Sequence, residues 1–281
     1  MGSNLLLTRR WVLSVLLVFS SGRASGQWLN YKDPKTPHTK GGKPNLTAPA
    51  PRMNSKTDFS GVWEGEPTPH SEVERVLGSQ YYDVQIDVDH VNKYAFNILW
   101  DLQPDKDLLR PEALTAMKEA RARGGGGEKC WPGGFPVTML YTPYKILQAQ
   151  REIVMLFEHR DPPRQIHIDG RPLPKDPEPS WEGTSGGRWE GQTLVVETVG
   201  FNGMSSLDGA GHPRSESARI TERYTRRDFG HMDVEMTFDD PVYYKRPFTV
   251  KIPMRLIPDS SDVLESVCAD NERDREHMPK H

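Results

Sequence analysis

The sequence predicts an all-β, mainly antiparallel, barrel-like body with one flanking helix and long loops. Three observations carry this. Short apolar stretches of strand length recur from Asp58 onward, with turn residues between them. Only one segment shows a good helical pattern. The 281 residues include 24 Gly and 24 Pro with 35% hydrophobic residues, a composition that suits strands joined by surface loops.

Taken in order, Tyr82, Val84, Ile86 and Val88 alternate with Asp83, Gln85, Asp87 and Asp89, giving one apolar and one wet face. Residues 107–123 form the expected helix. Asp107 would cap it, Pro111 falls in its first turn, and Gly124 to Gly127 end it. Leu114, Met117 and Arg121 share the face expected to lie on the body. Residues 145–150 and 152–159 read as a hairpin, followed by a strand over 164–169. The strand 193–198 follows a tight turn at Glu190-Gly191. Strands 218–226 and 232–238 are joined by Asp228-Phe229-Gly230, and strands 248–256 and 263–268 close the series. There is no internal repeat. The β body is therefore placed at 58–270, ahead of a charged tail at 271–281. Residues 27–57, rich in Pro, Lys, Thr and Asn without periodicity, read as an extended leader.

The first 26 residues have the build of an export signal. Arg9 and Arg10 precede the short apolar run 11–19, and Ala24-Ser25-Gly26 offers a cleavage site before Gln27. The run is well short of the roughly 20 residues of a membrane span. Val12 and Leu13 after the paired arginines also fit a twin-arginine signal, so both export routes stay open. No cysteine follows the run to carry a lipid, so no stable membrane anchor is expected and the mature chain is placed in the periplasm or outside the cell. In that setting Cys130 and Cys268 are expected to form a disulfide, the alternative being two buried free thiols. Closing so long a loop contributes up to roughly 5 kcal/mol. No CxxC or HxxxH spacing points to a metal, and no pattern names a cofactor. A net charge of -3 and a pI of about 6.3 give no basic face for nucleic acid. The expected partner is a small molecule, as ligand or substrate.

Residues 183–187, Gly-Thr-Ser-Gly-Gly, spell G-x-S-x-G, and Asp208 and His212 follow in the order of a hydrolase triad. The context opposes that reading. A nucleophile elbow needs a strand-to-helix turn, and here a strand hairpin follows Ser185. The glycines read instead as a loop passing close to Trp181 or Trp189. Ser185 remains a candidate ligand-binding hydroxyl.

Gly61-Val62-Trp63 opens the first strand of the body with Gly-x-Trp, and in this it resembles the lipocalin and calycin superfamily. The resemblance implies a lipocalin-like barrel. It also implies a tryptophan that plugs one barrel end beneath a basic residue from a late strand, for which Arg255 is the candidate. A longer stretch, 164–274, resembles a family of uncharacterised secreted bacterial proteins. It does so through RQIHIDGRPLPKDPEPSW, GRWEGQTLVVETVGFN, LDGAGHPRSE, ITERYTRRDFG and LESVCADNERD, with CWPGGFP upstream. This implies a shared fold and adds no activity. Related sequences often read GHPHSE, and Arg214 here removes the second histidine that a metal pair would use.

Strand parity marks candidate catalytic carboxylates. Glu222 shares a face with Ile220 and Tyr224, and Glu197 shares one with Val195. An inward carboxylate is costly unless paired, neutral or open to a cavity. It would either serve as an acid or base, or form an internal salt bridge with Arg188 or Arg164. Asp208 and His212 lie in the Gly-rich loop 207–213 and add a possible proton carrier, with Glu216 placed to orient it. The alternative for His212 is a hydrogen bond to its own loop. Asp169-Gly170-Arg171 reads first as a turn and second as a carboxylate facing the mouth. Trp181, with Trp189 and Phe201, offers a stacking wall or simply core. Ser185, Arg188, Arg164 and Asn202 complete the polar candidates. The expected function is binding of a small amphiphilic or aromatic molecule in a polar-lined cavity. The alternative is a lyase, isomerase or hydrolase on the same scaffold using an inward carboxylate and the loop histidine. A purely structural envelope protein is the third reading.

Overall fold

The structure is a computed structural model that describes residues 32–77, 92–102, 107–122, 131–158, 161–259 and 262–265. Its centre is a closed barrel of nine strands. A two-stranded ribbon, β1 (Arg52–Met53) and β2 (Lys56–Thr57), precedes it. The barrel strands are β3 (Gly61–Gly65), β4 (Tyr144–Gln148), β5 (Glu152–Phe157), β6 (Arg164–His167), β7 (Thr184–Glu190), β8 (Thr193–Val199), β9 (Arg219–Arg226), β10 (His231–Asp239) and β11 (Phe248–Leu256). They neighbour one another in chain order, and β11 closes on β3 with Leu256 opposite Trp63. Every pair is antiparallel except β6 and β7. The fold is thus an all-β, mainly antiparallel, lipocalin-like barrel.

Alternation explains the strands. In β10, Met232, Val234, Met236 and Phe238 are buried, and Glu235 and Asp239 are exposed. In β11, Phe248, Val250, Ile252, Met254 and Leu256 are buried, with Thr249 and Lys251 exposed. The inward residues belong to one continuous apolar core. The last expected strand is absent where it is described, since residues 262–265 have no regular structure. The expected strand at 82–89, together with Cys130 and Cys268, lies outside the described residues.

One barrel end is sealed by Trp63, whose indole N–H donates to the Phe59 carbonyl at 2.8 Å. The basic residue over it is Arg226, 4.8 Å from the ring centroid, and not Arg255. Arg255 sits between inward Met254 and Leu256, so it points outward and pairs with Glu64 at 2.7 Å. Arg226 donates to the carbonyls of Asp58, Asp228 and Phe229, and its burial lowers its pKa to about 10. The stretch read as a leader docks at this end. The Leu46 and Ala48 carbonyls accept from Gly230 and Phe229, each at 2.7 Å. These contacts run through main-chain atoms and so leave no side-chain periodicity.

The opposite rim carries the long connections. Between β3 and β4 come α1 (His70–Leu77), α2 (Lys93–Phe96), α3 (Pro111–Ala122) and α4 (Val137–Tyr141). α3 is the expected flanking helix. It begins at Pro111, beyond reach of capping by Asp107, and buries Ala113 rather than Leu114, which is 57% exposed. The small alanine face lets it lie close against the chain around Tyr244, where the Arg110 amide donates to the Tyr243 carbonyl at 2.9 Å. Ahead of α4, Phe135 enters the barrel rim, and Met139 of α4 lies beside the Tyr224 hydroxyl.

Candidate functional site

Strand parity for Glu222 holds: it faces inward and is fully buried. Arg164, the first residue of β6, meets it from across the barrel. Nη1 donates to Oε1 at 3.0 Å, and Nη2 donates to Oε2. Arg164 also donates to Ser185 at 3.2 Å and Thr198 at 2.8 Å, and its guanidinium lies 3.7 Å from the Phe135 ring centroid. The Tyr224 hydroxyl donates to Glu222. Burial opposes the charge on Arg164, but the Glu222 carboxylate outweighs it and raises the arginine's pKa. Of the two salt-bridge partners weighed for Glu222, the structure selects Arg164. The buried pair is matched at both oxygens, which is the arrangement that holds charge in a core.

Ser185 belongs to this network. It is a strand residue, buried, within 3.0 Å of Thr198, and its strand turns into a hairpin rather than a helix. It is not a nucleophile elbow. Gly186 and Gly187 are likewise strand residues, which corrects the reading of a glycine loop. A Cβ on Gly187 would sit 2.8 Å from Ile168. Gly183 is the turn residue, with φ +67, and a Cβ there would approach Thr198 and the Val199 carbonyl at 2.8 Å. Gly183→Ala is therefore expected to cost about 1–3 kcal/mol, read as a lower urea midpoint.

Glu197 points out of the barrel, which corrects the reading of it as an inward carboxylate. Leu194, Val196 and Thr198 face inward on β8, and the unbroken run Leu194-Val195-Val196 hides that register in the sequence. Glu197 pairs with Arg188 at 3.2 Å and Arg219 at 2.9 Å on the surface, and Arg188 also holds Glu190. Asp169 forms the turn, bound by Arg171 and by Arg151 of the β4–β5 hairpin, at the end away from the long connections. Asn202 accepts from the Met204 amide within its own loop.

The Asp208–His212 pair forms as a loop device. Asp208 accepts from the Ile98 amide at 2.5 Å, the His212 amide at 3.1 Å and His212 Nδ1 at 2.6 Å. A carboxylate only accepts, so Nδ1 carries the hydrogen. Both side chains are buried, and Glu216 is exposed and plays no part in orienting His212.

One pocket lies at the seam of the parallel strand pair, and another, of ≈ 460 Å³, lies between the flanking helix and Val242 and Tyr243. β6 and β7 pair only at Ile166 with Ser185 and His167 with Gly186. The residues just before that short ladder stay apart and bound a pocket of ≈ 340 Å³, lined by Pro162, Pro163, Gln165, His167, Ser180 to Thr184 and Ser185. Trp181 forms part of its wall and tilts against Trp131 at 6.1 Å. Glu182 lines it too. That residue is 6% exposed, and neither carboxylate oxygen has a hydrogen-bond partner among the described residues. Burial pushes its pKa up to about 7, opposed by Arg164 and Arg214 and reinforced by Asp161 and Glu222. Arg214 is buried against the Phe201 ring at 4.0 Å and donates to the Phe135 and Trp181 carbonyls. Its burial lowers its pKa to about 9.

The structure thus brings Arg164, Ser185 and Glu222 together, with Trp181 at the neighbouring pocket, and leaves Glu197, Arg188, Asp169, Asn202, Glu216 and the Asp208–His212 pair outside it. Sequence reasoning missed Glu182. An acid after a Pro-rich loop carries no parity and reads as solvated. Among the described residues no group of three or more His, Cys, Asp or Glu side chains is arranged to hold a metal. Comparison with family models, with curated proteins and with solved structures finds no match to this chain, so the functional reading rests on its geometry.

Proposed function

We propose that this chain is an exported lipocalin-like barrel protein that binds a small amphiphilic or aromatic molecule. The carrying observation is the seam pocket. It joins an aromatic wall, Trp181, to polar groups from Gln165, His167, Ser180 and Thr184, and it is bordered by Glu182, whose buried carboxyl has no partner among the described residues. Its volume lies within the ~300–1,000 Å³ of small-molecule sites. The binding place is this seam and not the barrel axis, where the chain's own Phe135, Met139 and the Arg164–Glu222 pair are buried. The export-type N-terminus and the resemblance of 164–274 to secreted proteins support the location.

The test is native mass spectrometry of the full chain purified from an exporting host. A bound small molecule is expected on the wild type and not on Trp181→Ala. A wild-type chain that emerges empty, with tryptophan fluorescence that does not respond to extract of the host culture, sinks the reading. The same mass shows whether Cys130 and Cys268 are joined.

One observation favours acid–base catalysis as a second reading: a pocket carboxyl pushed up to about 7 suits proton transfer near neutral pH. The catalytic group would then be Glu182 rather than Glu222 and His212. Turnover in a lyase, isomerase and hydrolase substrate screen, lost in Glu182→Gln, is the expected sign.

A further inference from the structure

The character of the seam pocket narrows the ligand class, and this step rests on the binding reading above. Glu182 and His167 are the ionisable side chains among the pocket's described lining residues, and no lysine or arginine is among those. The two cations that act on Glu182, Arg164 and Arg214, direct their terminal nitrogens to other groups. Arg164 is held at both nitrogens by Glu222. Arg214 donates from Nη1 and Nη2 to two main-chain carbonyls and lies on the face of Phe201, while its Nε has no partner among the described residues. Neither donates to Glu182, whose two oxygens are buried without a partner among the described residues.

A carboxylate or phosphate ligand would therefore enter a pocket bordered by a buried acid, with no lysine or arginine among the described lining residues. A neutral hydroxyl would bring a single donor. An ammonium brings three donors and the charge that a desolvated carboxylate lacks. Tryptophan is also the aromatic side chain that best receives a cation on its face. Pro162 and Pro163 add apolar wall. We propose that the seam pocket binds a protonated organic amine with a compact apolar or aromatic body, its ammonium received by Glu182 and its body lying against Trp181, Pro162 and Pro163.

The experiment is calorimetric titration of the full chain at pH 8 with benzylammonium, benzyl alcohol and benzoate. Benzylammonium is expected to bind at least about tenfold more tightly than the other two, the worth of one charge-assisted hydrogen bond. Glu182→Gln is expected to lose that advantage, and Trp181→Ala to weaken benzylammonium binding. A measurement on the unaltered chain guards against a misfolded variant. From pH 8 to pH 6 the affinity for benzylammonium is expected to fall about tenfold as Glu182 takes up its proton. The charged groups acting on Glu182 are Arg164 on β6, Asp161 before it, Arg214 in the β8–β9 connection and Glu222 on β9. His167 also lines the pocket, so the pH response should persist in His167→Gln. Benzyl alcohol or benzoate binding as tightly as benzylammonium overturns the amine assignment and leaves the pocket standing. So does a folded Glu182→Gln that keeps its benzylammonium affinity. Failure of all three probes also overturns the assignment, and the native mass measurement then decides the pocket independently.

Discussion

Glu222→Gln is expected to destabilise the barrel by about 3–5 kcal/mol, because it strips Arg164 of its carboxylate inside the core. Arg164 is 1% exposed. Ser185, Thr198 and the face of Phe135 remain after the change, and none of them carries a compensating charge. Tyr224 also loses its charged acceptor. For a domain of this size the melting temperature should fall by about 6–20 °C. The pair Arg164→Met with Glu222→Met should recover most of that loss, since replacing both ions by apolar groups removes the desolvation cost along with the attraction. An unchanged melting temperature in Glu222→Gln, or a double variant no better than the single one, shows that the two charges are not coupled. A loss of ligand binding in Glu222→Gln is meaningful only if the fold survives it.

Glu182→Gln is expected to act in the opposite direction and to depend on pH. The carboxyl is raised from 4.5 to about 7 by burial. Below pH 4.5 the group is protonated in folded and unfolded chains alike, and nothing is lost. Between pH 4.5 and about 7 the unfolded chain releases its proton while the folded chain keeps it, so stability falls as pH rises. Above about 7 the full penalty is present, on the order of 3 kcal/mol. The glutamine variant removes this component and should be the more stable protein at pH 8 by up to that amount, with little difference at pH 4.5. Urea unfolding of both proteins across that range measures it. Parallel pH profiles for the two proteins would show that Glu182 is not the titrating group.

These two carboxyls show how far the sequence reaches. Glu222 was legible because β9 alternates cleanly: Ile220, Tyr224 and Arg226 share its inward face, and Arg219 and Thr225 lie outside. Glu197 was misread because three consecutive apolar residues precede it and erase the period. Arg255 was misread although parity alone would have turned it outward, between Met254 and Leu256. The Ser185 elbow was rejected on context, and the hairpin that follows the serine bears this out.

The sequence by itself determined the class of fold, the positions of most barrel strands and the inward side of Glu222. These depend on local alternation and turn residues, which each segment carries whatever it packs against. Only the tertiary structure decided which strands neighbour one another, that β6 and β7 run parallel, and that a pocket lies beside their two-pair ladder. It also chose Arg164 over Arg188 as the partner of Glu222, and Arg226 over Arg255 above Trp63. Those choices depend on distances between residues far apart in the chain. Glu182 is the clearest case: its burial comes from Gly183 turning the chain beneath Thr198 and Phe201, and no spacing of letters around it records that.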